Sequence, residues 1–121
     1  MQDEVLAALR GARALIAHPD NWVKGVAARD SESNEVETDS ARATCFCTVG
    51  ALHKSLLVAG KGENVELYME ARSQLIRHRP DNSAGLVYFN DAPTTTHADV
   101  LGMFDRAIAE LEKNSASPKE A

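Results

Sequence analysis

Cys45-Phe46-Cys47, followed by His53, is the first place in this 121-residue chain where residue types alone suggest chemistry. Two thiolates and an imidazole are zinc ligands by nature. The surrounding residues read as helix, however, and a helix turns about 100° per residue. Cys45 and Cys47 then lie on nearly opposite sides, and His53 does not share a face with both of them. No second Cys or His pair completes four ligands, so no metal site is expected. Two cysteines one residue apart cannot frame an oxidised fold, and reduced, buried thiols are the expectation. Cys47 stays a candidate for ligand contact or nucleophilic attack. On this reading it sits about two turns into a helix, too deep for the dipole to activate it, and no base is identified.

Three polar stretches outside the expected helices flank large apolar residues. Trp22 is the sole tryptophan, and its indole N–H needs a partner if buried. Arg29-Asp30 and Asn90-Asp91 are the other two. The plain reading makes them turn residues that bond their own backbone ahead of Pro93. The functional alternative brings Trp22, Arg29, Asp30, Cys47, Asn90 and Asp91 together as a ligand-binding pocket beside Gly50. There Trp22 would stack on the ligand, Arg29 would take an anion, and an aspartate would orient it or exchange protons. Gly50-Ala51 lies in mid-helix, where glycine costs roughly 1 kcal/mol against alanine, so a backbone or a ligand is expected to press on it. The four histidines are scattered, and no His-Glu-x-x-His, glycine-rich phosphate loop or Gly-x-Ser-x-Gly elbow is present.

The elements that must hold these residues follow from periodicity. Gln2 to Ala17 is a first helix with Val5, Leu9, Ala12 and Ile16 at helical spacing, stopped by His18-Pro19-Asp20. Residues 22–38 form a small β-hairpin or flap. It turns at Asp30 to Asn34, with Asn34 suited to positive φ, and Trp22 and Val26 are its anchors. Residues 40–59 are a central helix, apolar nearly all round, capped by Asp39 or Ser40 and closed by Gly60. Glu63 to His78 is a third helix with Val65, Tyr68, Met69, Leu75 and Ile76 on one face. A loop over 81–93 holds an extended piece at Leu86 to Phe89. Thr96 and Asp99 resemble a capping box for a fourth helix, His97 to Lys113, that buries Val100, Leu101, Phe104, Ile108 and Leu111. The expected fold is thus mainly α: a four-helix domain over 1–113 with a disordered polar tail over 114–121.

Composition limits the functional classes. A hydrophobic content of 44% with 26% charged residues is ordinary for a globular domain. The formal net charge of −5 offers no basic footprint for a nucleic acid. No apolar run approaches the ~20 residues a membrane helix needs, and MQDEVLAALR is not ordered as a secretory signal. A cytoplasmic protein without a cofactor is expected.

The order of short motifs carries a resemblance. Trp22-x-x-Gly25-x-Ala27-x-x-Asp30, Cys47-x-x-Gly50-Ala51-Leu52, Asn90-Asp91-x-Pro93 and Asp105-x-Ala107 resemble a family of small bacterial and phage-borne proteins, a domain of unknown function. The chain departs from that pattern in two places. A glycine usual in the hairpin turn is replaced near Ser33-Asn34, and Phe46 stands where tryptophan often precedes the cysteine. The resemblance implies a shared fold and a shared group of marked positions, and no reaction.

Two functions follow from the sequence. The first is a non-enzymatic accessory or protein-interaction domain, homo-oligomeric or bound to a partner protein through an apolar face of its third or fourth helix. The alternative is a small-molecule-binding protein or minor enzyme with a polar pocket between the flap and the central helix.

Overall fold

The computed structural model describes residues 2–80 and 85–116. Residues 81–84 of the expected loop and 117–121 of the expected tail lie outside them. In chain order the elements are α1 (Gln2–Leu15), a 3-10 turn (Pro19–Asn21), β1 (Ala28–Arg29), β2 (Cys45–Phe46), α2 (Thr48–Val58), α3 (Val65–Arg77), α4 (Leu86–Asp91) and α5 (His97–Ala116). The fold is mainly α, with four longer helices and a small antiparallel sheet, as the sequence predicts.

The central helix is shorter than predicted, starting at Thr48 rather than near residue 40. The apolar run before it is spent on β2, where Ala28 pairs with Phe46 and Arg29 with Cys45. Phe46 is buried in the core, and its carbonyl accepts from the Val23 N–H at 3.1 Å. An apolar run of this length fits a buried strand as well as a helix, and periodicity alone does not separate them. The expected flap does turn back on itself, the Asp30 N–H donating to the Asn34 carbonyl at 2.9 Å and the Val36 N–H to the Ala28 carbonyl at 3.1 Å. Arg29 and Glu35 form a single bridge, and the strand partner of β1 comes from beyond residue 40. The positive φ in its turn falls on Ser33 rather than Asn34.

Around this sheet, α1 and α2 form the inner pair: α1 packs on α2, α3 and α5, and α2 also meets α3 and α4. Leu9, Ala12, Ile16, Leu52, Leu67, Leu75, Val100 and Phe104 are fully buried between them. The buried face of α3 is Leu67, Ala71 and Leu75. Val65 and Met69, expected on that face, are exposed instead. α4 replaces the expected extended piece. Leu86 and Phe89, three residues apart, point into the core with Asn90, while Val87 and Tyr88 point out. That is helical spacing, but in a run of four apolar residues it is indistinguishable from a strand. The predicted capping box of α5 forms: the Thr96 N–H donates to Asp99 at 3.0 Å and the Asp99 N–H to Thr96 Oγ1 at 3.1 Å. α5 then runs on to Ala116, over the first residues of the predicted tail.

Gly50 shows how tightly the flap rests on α2. A Cβ there would lie 2.1 Å from the Ala27 carbonyl oxygen, a backbone atom that cannot move alone. Removing a mid-helix glycine normally gains about 1 kcal/mol. Overpacking of this kind costs about 1–3 kcal/mol, and a contact so short belongs at the upper end. The clash therefore wins. Gly50→Ala is expected to lower the urea unfolding midpoint by a net loss of roughly 1–2 kcal/mol; an unchanged or higher midpoint would show that the flap does not press on the helix.

Candidate functional site

Asn90 is wholly buried and bonds in five directions. Its Oδ1 accepts from Trp22 Nε1 at 2.7 Å, the Thr48 N–H at 2.9 Å and Thr48 Oγ1 at 2.8 Å. Its Nδ2 donates to the Val23 carbonyl at 3.0 Å and to Asp91 Oδ1 at 2.9 Å. The orientation of the amide follows from chemistry, because a flipped amide would set its NH2 against two N–H donors. Asp91 Oδ1 also accepts from the Gly25 N–H at 2.9 Å, and Gly25 holds φ +87°, a conformation that glycine adopts without strain. Lys24 covers the outside, donating to the Ala92 carbonyl at 2.7 Å with its ammonium 5.6 Å from the centre of the Trp22 ring. Trp22, Asn90 and Asp91 are thus brought together, but their polar atoms face one another.

Cys47 borders this cluster as the N-cap of α2, its Sγ accepting from the Gly50 N–H at 3.2 Å. It is the cap of the helix, not a residue two turns inside it. Burial pushes the thiol pKa up, and the Asp91 charge pushes it further, against the Gly50 and Val49 N–H groups that favour the thiolate. Cys45 sits outside the helix on β2, donating from Sγ to the Asp20 carbonyl at 3.3 Å. The helical-face argument against a shared metal therefore does not apply. Among the described residues no group of three or more His, Cys, Asp or Glu is placed to hold an ion.

Arg29 and Asp30 serve the outer turn of the flap instead. Arg29 donates to the Ser33 carbonyl at 2.9 Å, and Asp30 Oδ1 accepts from the Glu32 and Asn34 N–H groups, each at 2.9 Å. The Asn34 backbone N–H is the chief reason that the Asp30 pKa lies below its ordinary value; the Asn34 amide and Glu32 N–H assist, and burial opposes.

A cleft of about 460 Å³ does lie between the flap and α2, lined by other residues. Glu37 and Thr38 form its flap wall, and Val49, His53 and Leu56 of α2 its floor. Asn64, Val65 and Tyr68 at the start of α3 close the third side. Thr38 Oγ1 and His53 Nδ1 lie 2.7 Å apart, a hydrogen bond across the floor between a buried hydroxyl and a half-buried ring.

The model of a family described as a family of unknown function, DUF6197, matches residues 1–110. The chain belongs to that family. Comparisons of this DUF6197 member with curated proteins and with solved structures find no match. No helix among its described residues is long and apolar enough to cross a membrane.

Sequence reasoning on this DUF6197 member considered a pocket between the flap and the central helix but missed the residues that line this cleft, because Glu37, Thr38, Asn64 and Tyr68 form no motif. They meet through packing of three separate segments. The one available signal was His53, a polar residue on an otherwise apolar helix.

Two measurements probe the predicted residues. Asn90→Ala would strand the Thr48 N–H, the Trp22 indole and the Val23 carbonyl, at roughly 1–3 kcal/mol for each group kept from water. A total loss of about 3 kcal/mol or more is expected in denaturant unfolding followed by Trp22 fluorescence. A loss below about 1 kcal/mol would mean that the cluster is not structural. For Asp30, a pKa below its unfolded value gives stability that is fully present above about pH 4 and lost as pH falls through the folded value. Asp30→Asn should therefore show a shallower fall of melting temperature from about pH 6 to about pH 2 than the parent. Parallel curves would remove Asp30 from the acid response.

Proposed function

We propose that this chain is a small-molecule-binding module that uses the cleft between the flap, α2 and the start of α3. The observation that carries the reading is the cleft itself: about 460 Å³ with an apolar floor and a Thr38–His53 hydrogen bond set into it. Ligand sites commonly span roughly 300–1,000 Å³ and join apolar walls to a few placed polar groups. Asn64 gives its side-chain oxygen to the Leu67 N–H at 3.0 Å, so its amide N–H groups stay available at the rim. This set is preferred to the one inferred from sequence because Trp22 and Asn90 spend their polar atoms on each other and on the flap backbone, and Oδ1 of Asp91 is taken as well.

A second reading, an interaction domain, draws on Val65 and Met69. They are 70% and 47% exposed one turn apart on α3, with Val65 on the cleft rim. Apolar pairs at this spacing make a stripe that a partner helix or a second copy can cover.

A fragment library screened by backbone amide NMR separates the two. Binding fragments are expected to shift Val49, His53, Asn64 and Tyr68 together, and Val49→Phe, which fills the floor, is expected to abolish those shifts. Fragments that shift only other regions would overturn the cleft reading. So would a library without binders, and a dimer that Val65→Lys dissociates would then put the interaction reading in its place.

A further inference from the structure

We infer that the cleft selects a cationic amine carried on an apolar or aromatic body; this rests on the cleft being a binding site. Glu37 is the one residue of fixed charge among its lining residues, and no Lys or Arg lines it. The carboxylate is exposed at the flap edge, and the apolar surfaces of Val49, Leu56 and Val65 lie across from it. Tyr68 adds an aromatic ring to the wall, a surface that attracts ammonium groups as well as apolar ones.

One feature favours the opposite sign: the N-terminus of α3 opens on the cleft at Asn64 and Val65, and helix N-termini attract anions. Two of its terminal N–H groups are already taken, however, Asn64 by the Lys61 carbonyl and Leu67 by the Asn64 side chain. Glu66 in the same first turn offsets the dipole further. The chain's net charge of −5 adds a background potential of the same sign as Glu37. An anionic ligand would meet a carboxylate with no cation in the lining to neutralise it. An amine meets a carboxylate at the rim, apolar floor beneath, and a Thr38–His53 pair to which its remaining N–H groups can donate.

Three probes of one shape make the test: phenethylamine, phenylacetate and phenethyl alcohol, titrated while the amides of Val49, His53 and Tyr68 are followed. The amine is expected to bind at least roughly tenfold more tightly than the acid, with the alcohol between them. Glu37→Gln, a change at an exposed position, should weaken the amine roughly fivefold and leave the alcohol unchanged. Equal affinities, or a preference for the acid, would overturn the charge selection and leave the cleft as a site. An amine preference that survives Glu37→Gln would overturn it too, because its source would then lie elsewhere. If none of the three shifts the cleft amides while other fragments do, the amine class falls alone; if nothing ever does, both readings fall.

Discussion

The buried side chain of Asn90 is the constraint on which the rest of the arrangement depends. One oxygen holds both the first N–H of α2 and the indole of Trp22, so α4, the start of α2 and the start of the flap share a single point. A buried amide is costly to leave unmet, and the low dielectric around it strengthens the bonds that are made. Each partner is therefore held to one position. α4 has only six residues, too few to be stable on its own. Its place is set by Leu86 and Phe89 in the core and by this polar contact beside them.

From that point the flap is laid down in order. Trp22 bridges Phe46, Val23 bonds the Phe46 carbonyl, and Cys47 donates its N–H to Ala27 at 3.1 Å. These contacts run the chain over Gly50, the only residue type with room for the Ala27 carbonyl there. Two strands of two residues would not persist in water alone. Here they persist because helix α2 begins where the second of them ends, with Cys47 serving both as sheet neighbour and as helix cap. The cleft is a result of the same path: after its outer turn the flap returns along α2 at Glu37 and Thr38, and the Thr38–His53 bond fixes it there.

How much of this was legible in the sequence depended on the range of the interaction. The helices α1, α3 and α5 follow from local periodicity and capping, and the Thr96–Asp99 box is a signal confined to four residues. The close approach at Gly50 was legible as a helix position that glycine penalises, though not the identity of what presses on it. The start of α2 was not legible, because Ala41 to Val49 satisfies a buried strand and a buried helix alike, and only the distant partner Ala28–Arg29 decides between them. α4 failed for the same reason. Trp22, Asn90 and Asp91 were grouped as part of a ligand pocket, and the structure joins them through hydrogen bonds to one another. Their partners, separated by as many as 68 positions, could not be read from a single sequence.

That grouping also separates a marked position from a binding position. A tryptophan, an asparagine and an aspartate in loops between apolar residues fit a ligand site by type, and the deciding question is where their polar atoms point. Asn90 uses both ends of its amide, Asp91 fixes Gly25, and the Trp22 N–H is taken. Groups so fully engaged with one another hold a shape and have little left to offer a visitor. The cleft residues show the reverse pattern. Glu37 is exposed, Asn64 caps α3 with its oxygen alone, and Tyr68 is half-buried in the wall. Recognition needs groups positioned by the fold and still free to bond, a condition that Glu37, Asn64 and Tyr68 meet and that Trp22 and Asn90 do not.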